Sequence, residues 1–236
     1  MSSELSVLLI AAASIGFVHT LLGPDHYIPF IVMSKSCEWS MRKTFWITFL
    51  CGLGHVLSSV VLGIAGILFV IAVTKLEIVE SFRGELAAWA LITFGLLYFI
   101  WGVRRAYNNK PHQHFHAHDG GVMHEHGHTH TDTHMHVHEK TTKSMTPWIL
   151  FTIFVFGPCE PLIPLLMYPA AKGSLMSLVL VTFVFGFVTI GMMMSVVILS
   201  SFGISFVPLA KMERYTHALA GLTLFLCGIS IKFLGL

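Results

Sequence analysis

Three stretches of this chain, residues 44–74, 86–103 and 173–210, contain no Asp, Glu, Lys or Arg. The hydrocarbon core of a bilayer is about 30 Å thick, which about 20 helical residues cross, and uncharged apolar runs of that length are too long for helices buried in a globular core. They belong in lipid. Over the whole 236 residues 55% are apolar and 11% charged, too few charges to cover a soluble surface. The runs predict spans near residues 5–34, 44–73, 86–104, 147–171, 175–202 and 208–234. The expected fold is an all-α integral membrane protein with six transmembrane helices. Only Glu4 precedes the first apolar residues and no basic leader is present, so the first segment is expected to be retained as a span. A formal charge of +2 without a basic stripe sets nucleic acid aside as a partner.

Two of the expected spans carry an internal Gly-Pro. Gly23-Pro24 lies near the middle of the first and Gly157-Pro158 within the fourth. Proline removes a backbone donor and clashes with the preceding turn, so helices 1 and 4 are expected to be broken there. The two sites also belong to a repeat. At an offset of about 134 residues Gly23-Pro24-Asp25-His26 lies over Gly157-Pro158-Cys159-Glu160, and Thr48-Phe49 with Gly52 lies over Thr182-Phe183 with Gly186. Gly95 and Gly102 fall on Gly228 and Gly235. Two halves with three spans each must point in opposite directions through the membrane, the inverted-repeat plan of many secondary transporters. Residues 1–104 form the first half and 147–236 the second.

Between them, residues 105–146 hold eleven histidines among Asp, Glu, Thr, Gly and Gln, and are expected to be a disordered loop that chelates transition-metal ions weakly. With six spans, one face receives ten Lys and Arg and the other four. That bias places the histidine-rich loop in the cytoplasm and both termini outside, in a cell inner (plasma) membrane.

Polar residues at membrane depth are costly and need a partner or a purpose. They concentrate at the two breaks: His19, Asp25 and His26 at the first, Cys159 and Glu160 at the second, with His55 inside the second span. Imidazoles, carboxylates and a thiol make an N/O/S donor set suited to Ni, Co, Zn or Cu rather than Mg or Ca. The expected metal-site residues are therefore His19, Asp25, His26, His55, Cys159 and Glu160. Cys37, Cys51 and Cys227 form no C-x-x-C pair with one another or with Cys159.

The segment His19-Thr-Leu-Leu-Gly-Pro-Asp25-His26 resembles the H-x4-D-H signature of nickel/cobalt transporters and related urease-accessory membrane proteins, with five residues rather than four between His19 and Asp25. That resemblance implies a transporter of divalent transition-metal cations, nickel or cobalt foremost and export preferred, not an enzyme and without a prosthetic group. Its partners would be the metal ion and the lipid bilayer, and a homodimer stays open. Gly157-Pro158-Cys159-Glu160-Pro161 is similar to the G-P-C-x-x-P element of the thiol-reductant conduits of cytochrome c maturation. This implies the alternative, a thiol–disulfide conduit centred on Cys159, in which electrons pass through disulfide exchange. Such conduits carry a cysteine at each break, and here Asp25 stands where the first would be. Transport of a small sulfur-containing anion would need a cation near the site, and no Lys or Arg lies close to either break in sequence.

Overall fold

The computed structural model describes residues 3–69, 71–108, 112–117, 123–128, 145–157, 159, 161–205 and 215–234. Its helices are α1 (Ser3–Leu22), α2 (Ile28–Ser36), α3 (Met41–Leu68), α4 (Val73–Asn108), α5 (Thr146–Phe156), α6 (Leu162–Ala171), α7 (Leu175–Ser205) and α8 (Thr216–Leu234). Strands β1 (His112–Ala117) and β2 (Met123–His128) lie between α4 and α5. Among the described residues, five helices are long and apolar enough to cross a membrane, and α5 and α6 are shorter apolar helices. Large apolar side chains such as Leu97, Phe183, Phe187 and Leu199 point outward from the helices, as a bilayer requires and water would penalise. The chain is a multi-pass helical membrane protein.

Both breaks fall where Gly-Pro stands. At the first, α1 stops at Leu22 and Gly23 adopts an extended ψ of 94°, the conformation that a following proline imposes. A single 3-10 turn, Pro24–His26, then carries the chain into α2, whose first turn accepts Pro29 because its N–H would be unpaired there anyway. At the second, α5 ends at Phe156 with Gly157 extended, and α6 resumes at Leu162.

The third expected span is longer than its apolar run. Instead of residues 86–104, α4 covers 36 residues, about 54 Å at the α-helical rise. Its first turns carry Lys75, Glu77, Glu80, Arg83 and Glu85, good helix formers that hydropathy alone excludes from a span. Within the central stretch two short strands are described. Residues 112–117 pair antiparallel with 123–128, in register from His112 opposite His128 to Ala117 opposite Met123. The remainder of the histidine-rich stretch lies outside the described residues.

Close helix packing rests on small residues, as it must where lipid competes for apolar contact. Along α4 and α8 a Cβ on Gly95 would meet the Phe225 backbone at 2.4 Å, and one on Gly102 the Ala218 backbone at 2.4 Å. From the other side, a Cβ on Gly221 would come within 2.2 Å of Phe99 N, and one on Gly228 within 2.9 Å of Ile92 N. The two helices touch backbone to backbone. Gly16 of α1 sits against Phe185 and Thr189 of α7, and Gly52 of α3 against Met193 of α7. Two apolar clusters result, one around Phe30, Met33, Leu150, Phe154 and Leu224, the other around Val56, Cys159, Leu162, Leu166 and Phe185.

Candidate functional site at the two helix breaks

The first break is organised around His26, which is buried. Its Nδ1 lies 3.1 Å from the Gly23 carbonyl and 3.0 Å from Asp25 Oδ1. Both neighbours accept, so the proton is assigned to Nδ1 and Nε2 is turned away from them. Gly23 is required for this arrangement: a Cβ there would lie 2.5 Å from His26 Nδ1. His19, in the last turn of α1, packs edge to face on the His26 ring with centroids 4.8 Å apart. His55 of α3 packs on His26 in the same way at 5.0 Å.

Near the second break, α3 supplies the contacts. A helix that stops leaves its last carbonyls without intrahelical donors. His55 Nδ1 donates to Phe154 O at 3.4 Å, while Arg83 of α4 donates to Val155 O at 2.8 Å. Arg83 also donates to Ser58 Oγ at 2.7 Å and pairs with the buried Glu80 carboxylate at 2.7 Å. Ser59 Oγ accepts the backbone N–H of Cys159 at 3.2 Å. Thus His55, Ser58 and Ser59, adjacent on one helix, tie α3 and α4 to the second break. His55 also belongs to the histidine cluster, so the two breaks share one polar centre.

Of the expected site residues, His19, His26 and His55 converge, with one ligand atom of each within 4.8 Å of the others. Asp25 joins them through His26. Cys159 instead lies buried among Val56, Leu162, Leu166 and Phe185 of the second apolar cluster. Glu160 lies outside the described residues. None of the four cysteines is in a disulfide, and Cys51 and Cys227 belong to the other apolar cluster, with Cys37 packed against it. A cleft of about 640 Å³ leads in from one side, lined by His19, Asp25 and His26, by Glu85 and Lys232, and by Pro161. A smaller cavity of about 40 Å³ separates Asp25 from Gly157, with His55 and Phe154 on its wall.

Sequence reasoning missed Arg83 and Glu80. No cation lies near either break along the sequence, yet in space α4 brings Arg83 onto Val155. The available signal was the Glu80-x-x-Arg83 spacing, which puts the two charges on one helix face and lets each offset the other's burial.

Residues 28–230 match the family described as cytochrome c biogenesis protein transmembrane region, and the chain belongs to that family. Comparison with curated proteins and with solved structures returned no match. The match overturns the assignment to the nickel/cobalt transporters and with it the expected nickel or cobalt transport. In sequence the misleading element was His19 to His26, which has one residue more than the H-x4-D-H signature. The Gly157-Pro158-Cys159 element resembled the family that is found.

Proposed function

We propose that this chain passes reducing equivalents across the membrane by thiol–disulfide exchange at Cys159. The observation that carries the reading is the position of Cys159. It lies at the second break of a chain of this family, buried, with its amide fixed to Ser59 of α3. It also precedes α6, whose amino end favours a thiolate. Pro161, two residues on, lines the cleft.

With Asp25 at the first break, the chemistry needs no disulfide between the breaks. The Cys159 thiolate attacks a disulfide R–S–S–R, forming Cys159–S–S–R and releasing RS⁻. A dithiol donor then attacks the mixed disulfide. Its first thiolate attacks the Cys159 sulfur and expels the second RS⁻, and its second thiol then displaces Cys159, so the donor leaves as a disulfide without ever bonding to R. Two electrons and two protons pass from donor to acceptor, and Cys159 ends as it began.

Six crossings arranged as two inverted three-helix repeats are part of the same proposal, α1 with α2 forming the first crossing and α5 with α6 the fourth. Support comes from the contact of Gly95 with Phe225 and of Gly228 with Ile92, which is one contact seen from either half at the repeat offset. The proposed orientation keeps the histidine-rich loop in the cytoplasm and the termini outside, on the Lys and Arg bias.

The test uses full-length protein in liposomes, with a protein dithiol outside and a disulfide dye enclosed. A variant with Cys37, Cys51 and Cys227 all changed to Ser is expected to retain transfer and to trap a mixed disulfide at Cys159. Cys159→Ser is expected to abolish transfer. Equal rates for Cys159→Ser and the parent would end this reading.

A further inference from the structure

We propose that His19, His26 and His55 form a three-imidazole site for one held zinc-class divalent ion, with Asp25 as the partner that orients His26. The inference does not rest on the thiol reading and uses no cysteine.

The first argument concerns hydrogen bonding. Nε2 of His19, of His26 and of His55 are all buried and have no hydrogen-bond partner. Buried polar atoms are paired in most proteins, and an orphan costs about 1–3 kcal/mol. Three such orphans converging from three elements call for a common partner. For two of them the tautomer is set by the other ring nitrogen: His26 Nδ1 faces Asp25 Oδ1 and Gly23 O, and His55 Nδ1 faces Phe154 O. With the proton on Nδ1, each presents a lone pair at Nε2. Buried lone pairs grouped without a donor repel, and a cation among them would turn that repulsion into coordination.

The second argument is geometric. Bonds of about 2.0–2.1 Å in tetrahedral coordination put ligand nitrogens about 3.3 Å apart. The observed ligand atoms lie within 4.8 Å of one another, so ring rotations of about 1 Å bring them to bonding distance. Carboxylate–histidine–metal triads orient ligating imidazoles in this way, and Asp25–His26 supplies one. Three imidazoles leave a fourth position. His19, His26 and Asp25 line the 640 Å³ cleft, so a water or small anion can reach it. All-nitrogen donation selects a zinc-class or later first-row ion over Mg or Ca. The held ion joins α1 and the first break to α3, and through the His55–Phe154 hydrogen bond to the second.

The experiment is equilibrium dialysis of purified full-length protein against Zn²⁺ buffered by a competing chelator, with bound zinc counted per chain. Because the histidine-rich segment also binds zinc, a second full-length protein carries Ser at its eleven histidines from His112 to His138. That protein is expected to retain one tight equivalent and to show a zinc-dependent rise in its unfolding midpoint. Adding His55→Ala is expected to remove both. Adding Asp25→Asn, which preserves side-chain size, is expected to weaken binding by about 10–100-fold. A monodisperse serine-loop protein that holds no tight zinc overturns the proposal, as does tight zinc that survives His55→Ala. Neither result bears on electron transfer by Cys159.

Discussion

Gly221→Ala adds one methyl group where α4 and α8 touch. The new Cβ would lie 2.2 Å from Phe99 N and 2.6 Å from its Cα, against an ordinary contact of at least 3.4 Å. Both obstacles are backbone, so no side chain can rotate away and the helices must separate by about 1 Å. Overpacking of this kind costs about 1–3 kcal/mol. Separation also loosens neighbouring contacts, including those at Gly95 and Gly228, so the upper part of that range is expected. Gly191→Ala in α7 is the matched control, because nothing lies within 4 Å of its Cβ position. There the same substitution keeps only its helix-propensity gain, at most about 1 kcal/mol. The propensity gain is common to both helical positions and cancels, so Gly221→Ala should fall below Gly191→Ala by the overpacking cost alone, about 2–3 kcal/mol. The assay is reversible unfolding in mixed micelles, followed by circular dichroism. Equal midpoints for Gly221→Ala and Gly191→Ala would refute the backbone-contact packing of α4 on α8.

Arg83→Met removes the ionic partner of the buried Glu80 and the donor to Val155 O and Ser58. Breaking such a pair costs about 3–5 kcal/mol. The double variant Glu80→Gln, Arg83→Met should recover part of the loss in the same unfolding assay, and full stability of Arg83→Met alone would argue against the pair's structural role. The proposed orientation predicts that Thr141→Cys, in a background with all four native cysteines changed to Ser, reacts with a membrane-impermeant maleimide only after cells are permeabilised. Labelling in intact cells would reverse the topology.

The solvent of this protein and its two helix breaks were written in the residue pattern, whereas the start of α4 was not. Uncharged runs longer than the bilayer core admit only membrane-spanning helices, and a Gly-Pro pair within such a run combines a missing N–H with a poor helix former, so Gly23-Pro24 and Gly157-Pro158 were legible without coordinates. The clustering of His19, Asp25 and His26 was legible too, since neighbours in sequence at one break stay neighbours in space. Other features required the tertiary structure. His55 reaches His26 only because α3 packs against both breaks, and it is the same packing that sets Ser59 under the Cys159 amide. Arg83 is distant from both breaks along the chain and belongs to a segment whose charges hide its helical continuation. Its approach to Val155 depends on how α4 lies against α3 and α5. Cys159, which the repeat sets opposite Asp25, packs among the apolar side chains of the second cluster, a neighbourhood the pattern does not reveal. Periodicity and hydropathy report what a residue must be buried in, whereas the identity of its neighbours is a property of helix packing, which glycine contacts such as Gly95 with Phe225 decide locally and sequence pattern does not encode.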